Sequence, residues 1–349
     1  MQLTSDNYRA LHVILDRGAV HAPEYDGGLS DHLPMSLHAM YELGADQARL
    51  EAYAAFYAPR LDRLESVPLD ITDWTAFRGQ SAAYSALVEV FTSRICDLGR
   101  DAVLRDAIPL LLPGVAASAF HGVIRCAHAI SAGHDGELAR SLAYWTVASM
   151  SLVVHDRAAS LPLMSMDLSA WLAAAHQLDA TANSDQPRIA SQMMAWAQAA
   201  GFSELAPVLR INEETLETFA RFAAALYVQT GSFTVLHMVT SSHAMLVLRP
   251  WMTDALLAAR WYGIALFAAL RAARLSSEQV ATALKSTRES KVENHTQIAS
   301  WDELAAKAIA SSDDHAAKIV YSSRALYEML GDPVFHAAAV RGVLAQSRV

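Results

Sequence analysis

Ser312-Asp313-Asp314-His315-Ala316-Ala317-Lys318-Ile319-Val320 lies within a run, Leu304–Leu330, that has the composition of a helix. The run is rich in Ala, Leu and Ile, contains no Pro, and is followed by Gly331-Asp332-Pro333, which predicts a helix that ends at the glycine. His315 and Lys318 stand three residues apart, so they share one face of this helix with apolar neighbours. A buried lysine either loses its proton or meets an anionic partner. Two further interpretations stay open: carbon dioxide carbamylates Lys318 and makes it an anionic oxygen ligand beside His315, or Lys318 extends its ammonium to water.

Nearly every other segment also has helical periodicity, and runs of alternating β-branched residues are lacking. The loops between helices are short, His21–Ser30 being one of them, and no repeat of fixed period or domain-scale linker is present. We therefore predict an all-α fold, with residues 1–349 forming a single-domain multi-helix bundle. The predicted helices are Asp6–Arg17, Asp31–Leu43, Asp46–Leu64, Ser81–Leu98, Arg100–Leu111, Val115–Ala132, Gly136–His155, Ile189–Ala200, Asn212–Gln229, Phe233–Leu248, Met252–Ala273, Trp301–Leu330 and Pro333–Ser347.

Composition narrows the class of protein. The chain has 349 residues, 53% of them hydrophobic, and its net charge of -9 is spread without blocks or a basic stripe, which argues against nucleic-acid binding. The most apolar windows, such as Trp261–Leu270, are shorter than a membrane span and predict buried helices. The first residues have no basic and apolar pattern of a signal peptide. Two cysteines do not make a disulfide framework, so a cytoplasmic location is expected.

Several catalytic motifs are missing from the sequence. There is no G-x-G-x-x-G after a strand, no G-x-x-x-x-G-K-[ST], no G-x-S-x-G and no C-x-x-C. H-E-x-x-H and paired Glu-x-x-His motifs of di-iron bundles are also missing. The absence of these motifs disfavours a Rossmann-bound dinucleotide, a P-loop nucleotide and an α/β-hydrolase triad.

Histidine is the unusual feature of the composition, with fourteen in the chain. Four predicted apolar helices each present one histidine among Leu, Val, Ala and Met: His32, His121, His237 and His315. His121 falls in the middle of its predicted helix, and Gly122 beside it allows a neighbouring helix to approach. Taken singly, each of these is more typical of a core histidine than of a ligand. Helix bundles nevertheless build metal sites from side chains that project inward, so the set indicates a buried metal site.

Three more histidines follow at similar offsets: His38 six residues after His32, His128 seven after His121, and His243 six after His237. An offset of six turns the side chain by about a third of a turn, so the two members of such a pair cannot both point directly at one centre. Neutral imidazole suits iron, copper, zinc or nickel, and an added oxygen anion favours iron.

Four blocks of sequence carry a family resemblance: Leu29-Ser30-Asp31-His32-Leu33-Pro34-Met35 with Tyr41-Glu42-Leu43-Gly44-Ala45, Phe120-His121-Gly122-Val123-Ile124-Arg125, Leu236-His237-Met238-Val239-Thr240-Ser241, and Asp314-His315-Ala316-Ala317-Lys318. In these blocks, which follow in order over almost the full chain, the sequence resembles the questin oxidase-like family. That family includes fungal oxygenases that open the quinone ring of anthraquinones in polyketide pathways. The resemblance implies an all-helical fold that holds a mononuclear non-haem iron. In the characterised branch, four histidines and a carboxylated lysine bind this iron.

Carried over block by block, the resemblance assigns the ligands to five side chains: His32, His121, His237, His315 and Lys318. His243 is close to His237 in sequence and is an alternative ligand. The candidates for orienting the imidazoles are Asp31, Asp313, Asp314 and Thr240. Arg125, one turn from His121, has two equal interpretations: it holds an anionic group of the substrate, or it pairs with a buried acid. Asp31 stands where the family is expected to have an Asn, a change beside the ligand His32. The chain is also shorter than the fungal members, and this difference in length affects the expected substrate more than the expected metal.

The resulting hypothesis is a non-haem iron oxygenase that acts on an aromatic, anthraquinone-type polyketide with oxygen insertion and C–C bond cleavage. It would be either a monooxygenase or a dioxygenase, and the substrate or a separate reductase would supply electrons. The expected partners are a small aromatic substrate and dioxygen, with no nucleic acid and no membrane, and a homodimer is one possible assembly. Two alternatives stay open: a zinc hydrolase that uses the same histidines, and a non-catalytic binding protein for a hydrophobic metabolite.

Overall fold

The computed structural model describes residues 5–153, 165–178, 186–289 and 299–344. Within these ranges most residues are helical and the one sheet has two strands, which confirms the all-α prediction. Its α-helices are α1 (Ser5–Arg17), α2 (Leu33–Glu42), α3 (Gln47–Tyr57), α4 (Tyr84–Leu98), α5 (Arg100–Leu111), α6 (Ala117–Ser131), α7 (Asp135–Val147), α8 (Leu168–Gln177), α9 (Ile189–Ala197), α10 (Phe202–Leu205), α11 (Thr215–Thr230), α12 (Phe233–Leu248), α13 (Ala255–Ala272), α14 (Ser277–Glu289), α15 (Trp301–Ala310), α16 (Ala316–Leu330) and α17 (Val334–Leu344).

Four helices enclose the centre of the fold as a closed ring. Helix α2 packs against α6 and α16, and α12 packs against the same two helices from the opposite side. Buried apolar side chains from Leu11 to Val343 form one contiguous cluster around this ring. Helices of the ring are far apart in sequence, so side chains of distant segments meet along its axis. That the chain is one domain over residues 1–349 stays a prediction.

The predicted loop at His21–Ser30 contains a short hairpin, β1 (Glu24–Tyr25) and β2 (Leu29–Ser30), and was therefore wrong in part. The strands pair antiparallel, with Glu24 opposite Ser30. Gly27 and Gly28 lie in the turn with φ of 69° and 119°, a region that glycine adopts without a steric penalty. The hairpin leads the chain directly into α2.

The predicted continuous helix Trp301–Leu330 was wrong, because the chain leaves the helix between Ala310 and Ala316. Polar side chains compete with the helical backbone bonds there. The Ser311 hydroxyl accepts a hydrogen bond from the Asp313 amide at 3.0 Å, and Asp313 Oδ1 accepts one from the His315 amide at 2.8 Å. His315 is consequently the residue that precedes α16, and its carbonyl still accepts the Ile319 amide at 2.9 Å.

Two other helices are shorter than predicted. Helix α3 ends at Tyr57 rather than Leu64, since Pro59 has no amide hydrogen to continue the helical ladder. Helix α7 ends at Val147 rather than His155, and residues 154–155 lie outside the described residues, as do residues 345–347 of the last predicted helix.

Helix α6 begins with a left-handed turn that the sequence did not reveal. Ser118, Ala119 and Phe120 have φ of 43°, 56° and 73°, a region that costs a non-glycine residue roughly 1–2 kcal/mol. His121 therefore stands at the start of the regular helix, and its predicted position in the middle of the helix was wrong. Gly122 does permit a close approach, because a Cβ there would lie 2.9 Å from the Trp145 ring of α7.

Helix α13 (Ala255–Ala272) contains the apolar window Trp261–Leu270. By length and composition alone it could cross a membrane, but 72% of it is buried inside the protein, as in the core helix of a globular fold. Among the described residues, no other helix meets the same test. The window is therefore a buried helix, as predicted.

Candidate metal centre

Four histidines meet where the ring of helices opens toward the N-termini of α2 and α16. His32 precedes α2, His121 starts the regular part of α6, His237 lies in α12 and His315 precedes α16. Their rings form a circuit of neighbours. The ring centroids are 4.6 Å apart for His32 and His121, 4.9 Å for His121 and His237, 5.4 Å for His237 and His315, and 4.7 Å for His315 and His32.

Backbone carbonyls fix two of these rings. His121 Nδ1 lies 2.5 Å from the Ser118 carbonyl oxygen, which the left-handed turn aims at the ring. His237 Nδ1 lies 2.8 Å from the Phe233 carbonyl oxygen, one turn earlier in α12. A carbonyl only accepts, so each Nδ1 carries the hydrogen and each Nε2 carries a lone pair. This is the tautomer that a metal ligand requires.

One carboxylate serves the other two rings. Asp314 Oδ1 lies 2.7 Å from His315 Nδ1, and Asp314 Oδ2 lies 3.1 Å from His32 Nδ1, the latter off the line of a good hydrogen bond. Ser36 Oγ donates to the Asp314 carbonyl oxygen at 3.0 Å and ties this loop to α2. Burial alone would raise the pKa of Asp314, but the two imidazoles hold it well below its usual range. Asp314 is therefore an anion that favours a lone pair on both Nε2 atoms.

The arrangement fits a bound cation. His32 Nε2 and His121 Nε2 lie 2.7 Å apart, and the Ser118 carbonyl at His121 Nδ1 leaves a lone pair on His121 Nε2. An N–H···N hydrogen bond from His32 accounts for this distance, and so does a metal ion bound by both atoms. Nitrogen ligands at right angles on one ion, about 2.1 Å from it, are about 3.0 Å apart. Burial lowers the pKa of His32 to about 3, and the pKa values of His121 and His237 well below their usual range, so these rings are neutral ligands.

Lys318 lies one turn into α16 beneath these rings. Its side chain is 3% exposed, and within the described part of the chain it forms no ion pair. Burial lowers the pKa of Lys318 to about 8, against the opposing attraction of Asp314, Asp313 and Asp31. Next to burial, the positive charge of Lys318 also lowers the pKa values of His32, His121 and His237. A buried lysine with a lowered pKa loses its proton, and so becomes a neutral amine, more easily than an exposed lysine does.

A smaller ligand set is also present. Ligand atoms of His32, Asp314 and His315 lie within 4.8 Å of one another, the composition of a two-histidine, one-carboxylate site for non-haem iron. Both Asp314 oxygens, however, lie next to Nδ1 atoms rather than on the side where His32 Nε2 meets His121 Nε2. The geometry therefore gives Asp314 the position of an outer carboxylate that orients two ligands.

The profile of the questin oxidase-like family matches residues 29–323 of the 349-residue chain, a span that includes all four histidines and Lys318. The chain belongs to the questin oxidase-like family. Among curated proteins, none matches the sequence. Membership in the questin oxidase-like family suggests an oxidoreductase, specifically an oxygenase that acts on an aromatic polyketide.

Three other predicted site residues of this questin oxidase-like protein, Asp31, Thr240 and His243, make their contacts outside the group of four histidines. Asp31 caps α2 by accepting the Leu33 amide at 2.9 Å, and burial raises its pKa to about 6. Thr240 donates to carbonyls of its own helix. His243 lies deeper in the bundle, with its ring 5.3 Å from that of Tyr321, so His237 is the residue of the pair that reaches the centre.

Arg125 takes part in a buried ion cluster. Its Nε donates to Glu137 Oε1 at 2.6 Å, and Arg140 Nε donates to Glu137 Oε2 at 2.8 Å. Arg125 Nη1 lies 3.9 Å from Asp31 Oδ2 and is otherwise without a partner. Of the two interpretations for Arg125, pairing with a buried acid is the one that these contacts match.

Sequence reasoning missed Phe233. Its carbonyl holds His237, and its ring lies 4.8 Å from the His237 ring and 4.6 Å from the His315 ring, although the side chain is 54% exposed. An exposed aromatic at the first position of a helix, four residues before a candidate ligand, is the signal that could have identified it. Phe233 is therefore a surface aromatic at the edge of the metal centre.

Proposed function

We propose that this protein is a non-haem iron oxygenase that inserts oxygen into a flat aromatic, anthraquinone-type substrate and cleaves a C–C bond. The ligands would be His32, His121, His237, His315 and Lys318. One observation carries the proposal: the rings of four histidines from distant segments lie next to one another, with centroids 4.6–5.4 Å apart, and an oxygen atom lies near the Nδ1 atom of each ring. Iron, when bound, would supply the redox chemistry that dioxygen activation requires.

Lys318 would contribute an anionic oxygen. Its neutral amine can attack carbon dioxide, which forms one N–C bond, releases one proton and yields a carbamate. The carbamate would replace a costly buried ammonium with a ligand whose charge the metal offsets. Burial at 3% exposure and the lowered pKa of about 8 support this role. Asp314 would hold the imidazoles of His32 and His315 in place without itself binding the metal.

Phe233 supports an aromatic substrate. Because its ring is half exposed and touches His237 and His315, a flat ring lying against it would be adjacent to the metal ligands. Aromatic rings in contact gain energy beyond the area that they bury. The partners proposed are therefore a small aromatic compound and dioxygen, with a homodimer as the assembly to test. The free cysteines Cys96 and Cys126 suit a cytoplasmic location.

Metal analysis of untagged protein, beside the Lys318→Ala and His315→Ala variants, tests the proposal. About one iron per chain that is lost in both variants would support the five-ligand site, and oxygen uptake with hydroxylated anthraquinones is then the activity assay. A 13C NMR signal from protein equilibrated with 13C-bicarbonate, missing in Lys318→Ala, would identify the carbamate. Stoichiometric zinc would favour a hydrolase instead, and no metal uptake at all would contradict the site.

A further inference from the structure

A second histidine cluster lies deeper in the same ring of helices. His38 in α2, His128 in α6 and His243 in α12 surround Tyr321 of α16, with ring centroids 5.2, 5.4 and 5.3 Å from the tyrosine ring. We call these three histidines the lower histidine cluster. They follow His32, His121 and His237 by six or seven residues, which separates the two levels by about 10 Å along the helices. Metal ions that act as one binuclear centre are about 4 Å apart, so the two levels are separate sites.

The lower histidine cluster consists of neutral imidazoles in an apolar interior. His38 is 1% exposed, and His128 and His243 are each 4% exposed. Burial lowers the pKa of His38 to about 3, that of His243 to about 4, and that of His128 well below its usual range. Three buried imidazoles cost more than the apolar side chains that could fill the same space, and each carries a lone pair suited to a transition metal.

Two of the nitrogen atoms already lie near the spacing of ligands. His38 Nδ1 and His128 Nδ1 lie 2.9 Å apart, and a widening of about 0.5 Å would give the separation of about 3.4 Å that two nitrogens have on one tetrahedral ion. The other nitrogen of His38, Nε2, is buried without a hydrogen bond, and Glu42 Oε1 lies 3.6 Å from it. Metal-bound histidines commonly donate their second ring N–H to such a carboxylate. A single N–H···N hydrogen bond also accounts for the His38–His128 distance, so the experiment must separate the two cases.

The third nitrogen has to move to complete the set. Among the described residues, the one group of metal-ligating side chains whose atoms already lie within 4.8 Å of one another is His32, Asp314 and His315. His243 shares the neighbour Tyr321 with His38 and His128, because all three imidazole rings have centroids 5.2–5.4 Å from the tyrosine ring. Rotation of its side chain toward the pair would give three nitrogen ligands, with a fourth position for water or the Tyr321 hydroxyl.

An acidic pocket connects the lower histidine cluster to solvent. Glu42 and Tyr321 line a cavity of about 270 Å³ together with Asp302, Glu328 and Arg324. Three carboxylates face one guanidinium there, and Arg324 pairs with Glu328 at 3.0 Å. The resulting negative potential attracts cations to the side of the pocket where Glu42 meets His38.

We propose that His38, His128 and His243 bind a divalent transition metal, such as Zn²⁺ or Co²⁺, at a second site that cations reach through the acidic pocket. This site does not depend on which metal or reaction the upper four histidines support. Its ligands are all imidazoles, so it would bind zinc, cobalt, nickel or copper rather than magnesium or calcium.

The test is a Co²⁺ titration of chelator-stripped, full-length protein, followed by equilibrium dialysis and visible absorption. The wild type is expected to bind two equivalents, and the His121→Leu variant at the upper site is expected to keep one. His38→Leu and His128→Leu should each lose one equivalent and the absorption bands of a nitrogen-rich, four-coordinate Co²⁺ site. His176→Leu, which changes a histidine of α8, is the matched control and should bind as the wild type does.

A Co²⁺-induced rise in melting temperature supplies a second reading, and His243→Asn is the variant to use if a leucine variant does not fold. One equivalent in the wild type that His121→Leu abolishes would overturn the second site. A second equivalent of Co²⁺ that remains bound in both His38→Leu and His128→Leu would also overturn the second site. One equivalent that only the lower variants abolish would support the second site and contradict the proposed iron centre, so the two proposals fail separately.

Discussion

His32 and His121 face each other through their Nε2 atoms at 2.7 Å, although they come from different helices and lie 89 residues apart. The Asp314 carboxylate and the Ser118 carbonyl lie near their Nδ1 atoms, on the sides of the rings away from this contact. The pair can share one proton in an N–H···N hydrogen bond or, once that proton is lost, bind a cation. We therefore expect the Asp314 carboxylate and the Ser118 carbonyl, which orient these rings, to affect metal binding as the proposed ligands do.

Asp314→Asn should weaken metal binding about 10- to 100-fold, since one carboxylate now orients two imidazoles and an amide would accept from one of them at most. A competition titration against a chromophoric chelator measures this change. Asp313→Asn is the control, because the Asp313 carboxylate is 44% exposed and lies near one imidazole only, with Oδ1 3.3 Å from His315 Nδ1, while an Asn oxygen can still accept the His315 amide. An equal loss in the two variants would contradict the special role of Asp314.

Phe233→Ala should leave the metal content unchanged and weaken the binding of a flat hydroxylated aromatic by about 1 kcal/mol, or about fivefold, because a ring contact is removed. Fluorescence quenching on titration with a hydroxylated anthraquinone measures the affinity. Phe56→Ala removes another aromatic, 55% exposed, from α3 and should have no effect. Unchanged affinity in Phe233→Ala would place the substrate elsewhere.

Ala119→Gly should not destabilise the protein, because Ala119 has φ of 56° and glycine relieves the left-handed strain that offsets its own entropy cost. Ala127→Gly, in the regular part of the same helix, should lower the free energy of unfolding by about 1 kcal/mol. Urea unfolding of both variants checks the contrast. Equal destabilisation would mean that the left-handed turn is not strained.

Glu137→Gln should lower the free energy of unfolding by about 3–5 kcal/mol, since it leaves the Arg125 and Arg140 charges buried without their anion. Burial alone would raise the pKa of Glu137, but Arg125 and Arg140 hold it below its ordinary value of 4.5. A lowered acid pKa stabilises the folded state above the unfolded-state value, so this contribution is complete above about pH 4.5 and is lost as the pH falls further.

Chemical denaturation at pH 7 and pH 4 measures both effects. Glu51→Gln breaks the exposed pair with Arg17, whose side chains are 62% and 37% exposed, and should change stability by less than about 1 kcal/mol. A similar loss in the two variants would show that the buried cluster contributes no more than a surface pair.

Helical periodicity was enough to predict the fold class and most of the helices, because the spacing of apolar residues can be read from each segment alone. The four histidines could be selected from their apolar surroundings, and the structure brings them together. The break before His315 was missed because Ser311 and Asp313 act through hydrogen bonds to their own backbone, which a composition favouring helix conceals. The turn at Ser118–Phe120 has no glycine to mark it. His38 and His243 were separated from the first centre by their six-residue offsets, and nothing in the sequence indicated that the structure would place both with His128 around Tyr321.

The hydrogen bond between Ser36 and Asp314 joins residues 278 positions apart, and the five proposed ligands extend over a similar stretch, from His32 to Lys318. A ribosome that has already released His32, His121 and His237 still holds the segment with His315 and Lys318, because chains are made from the N-terminus. The centre is therefore incomplete throughout most of synthesis. A truncated translation product that stops before the segment with His315 would carry three of the four histidines and lack His315 and Lys318. Binding of a metal by all five proposed ligands would therefore follow the synthesis of α16.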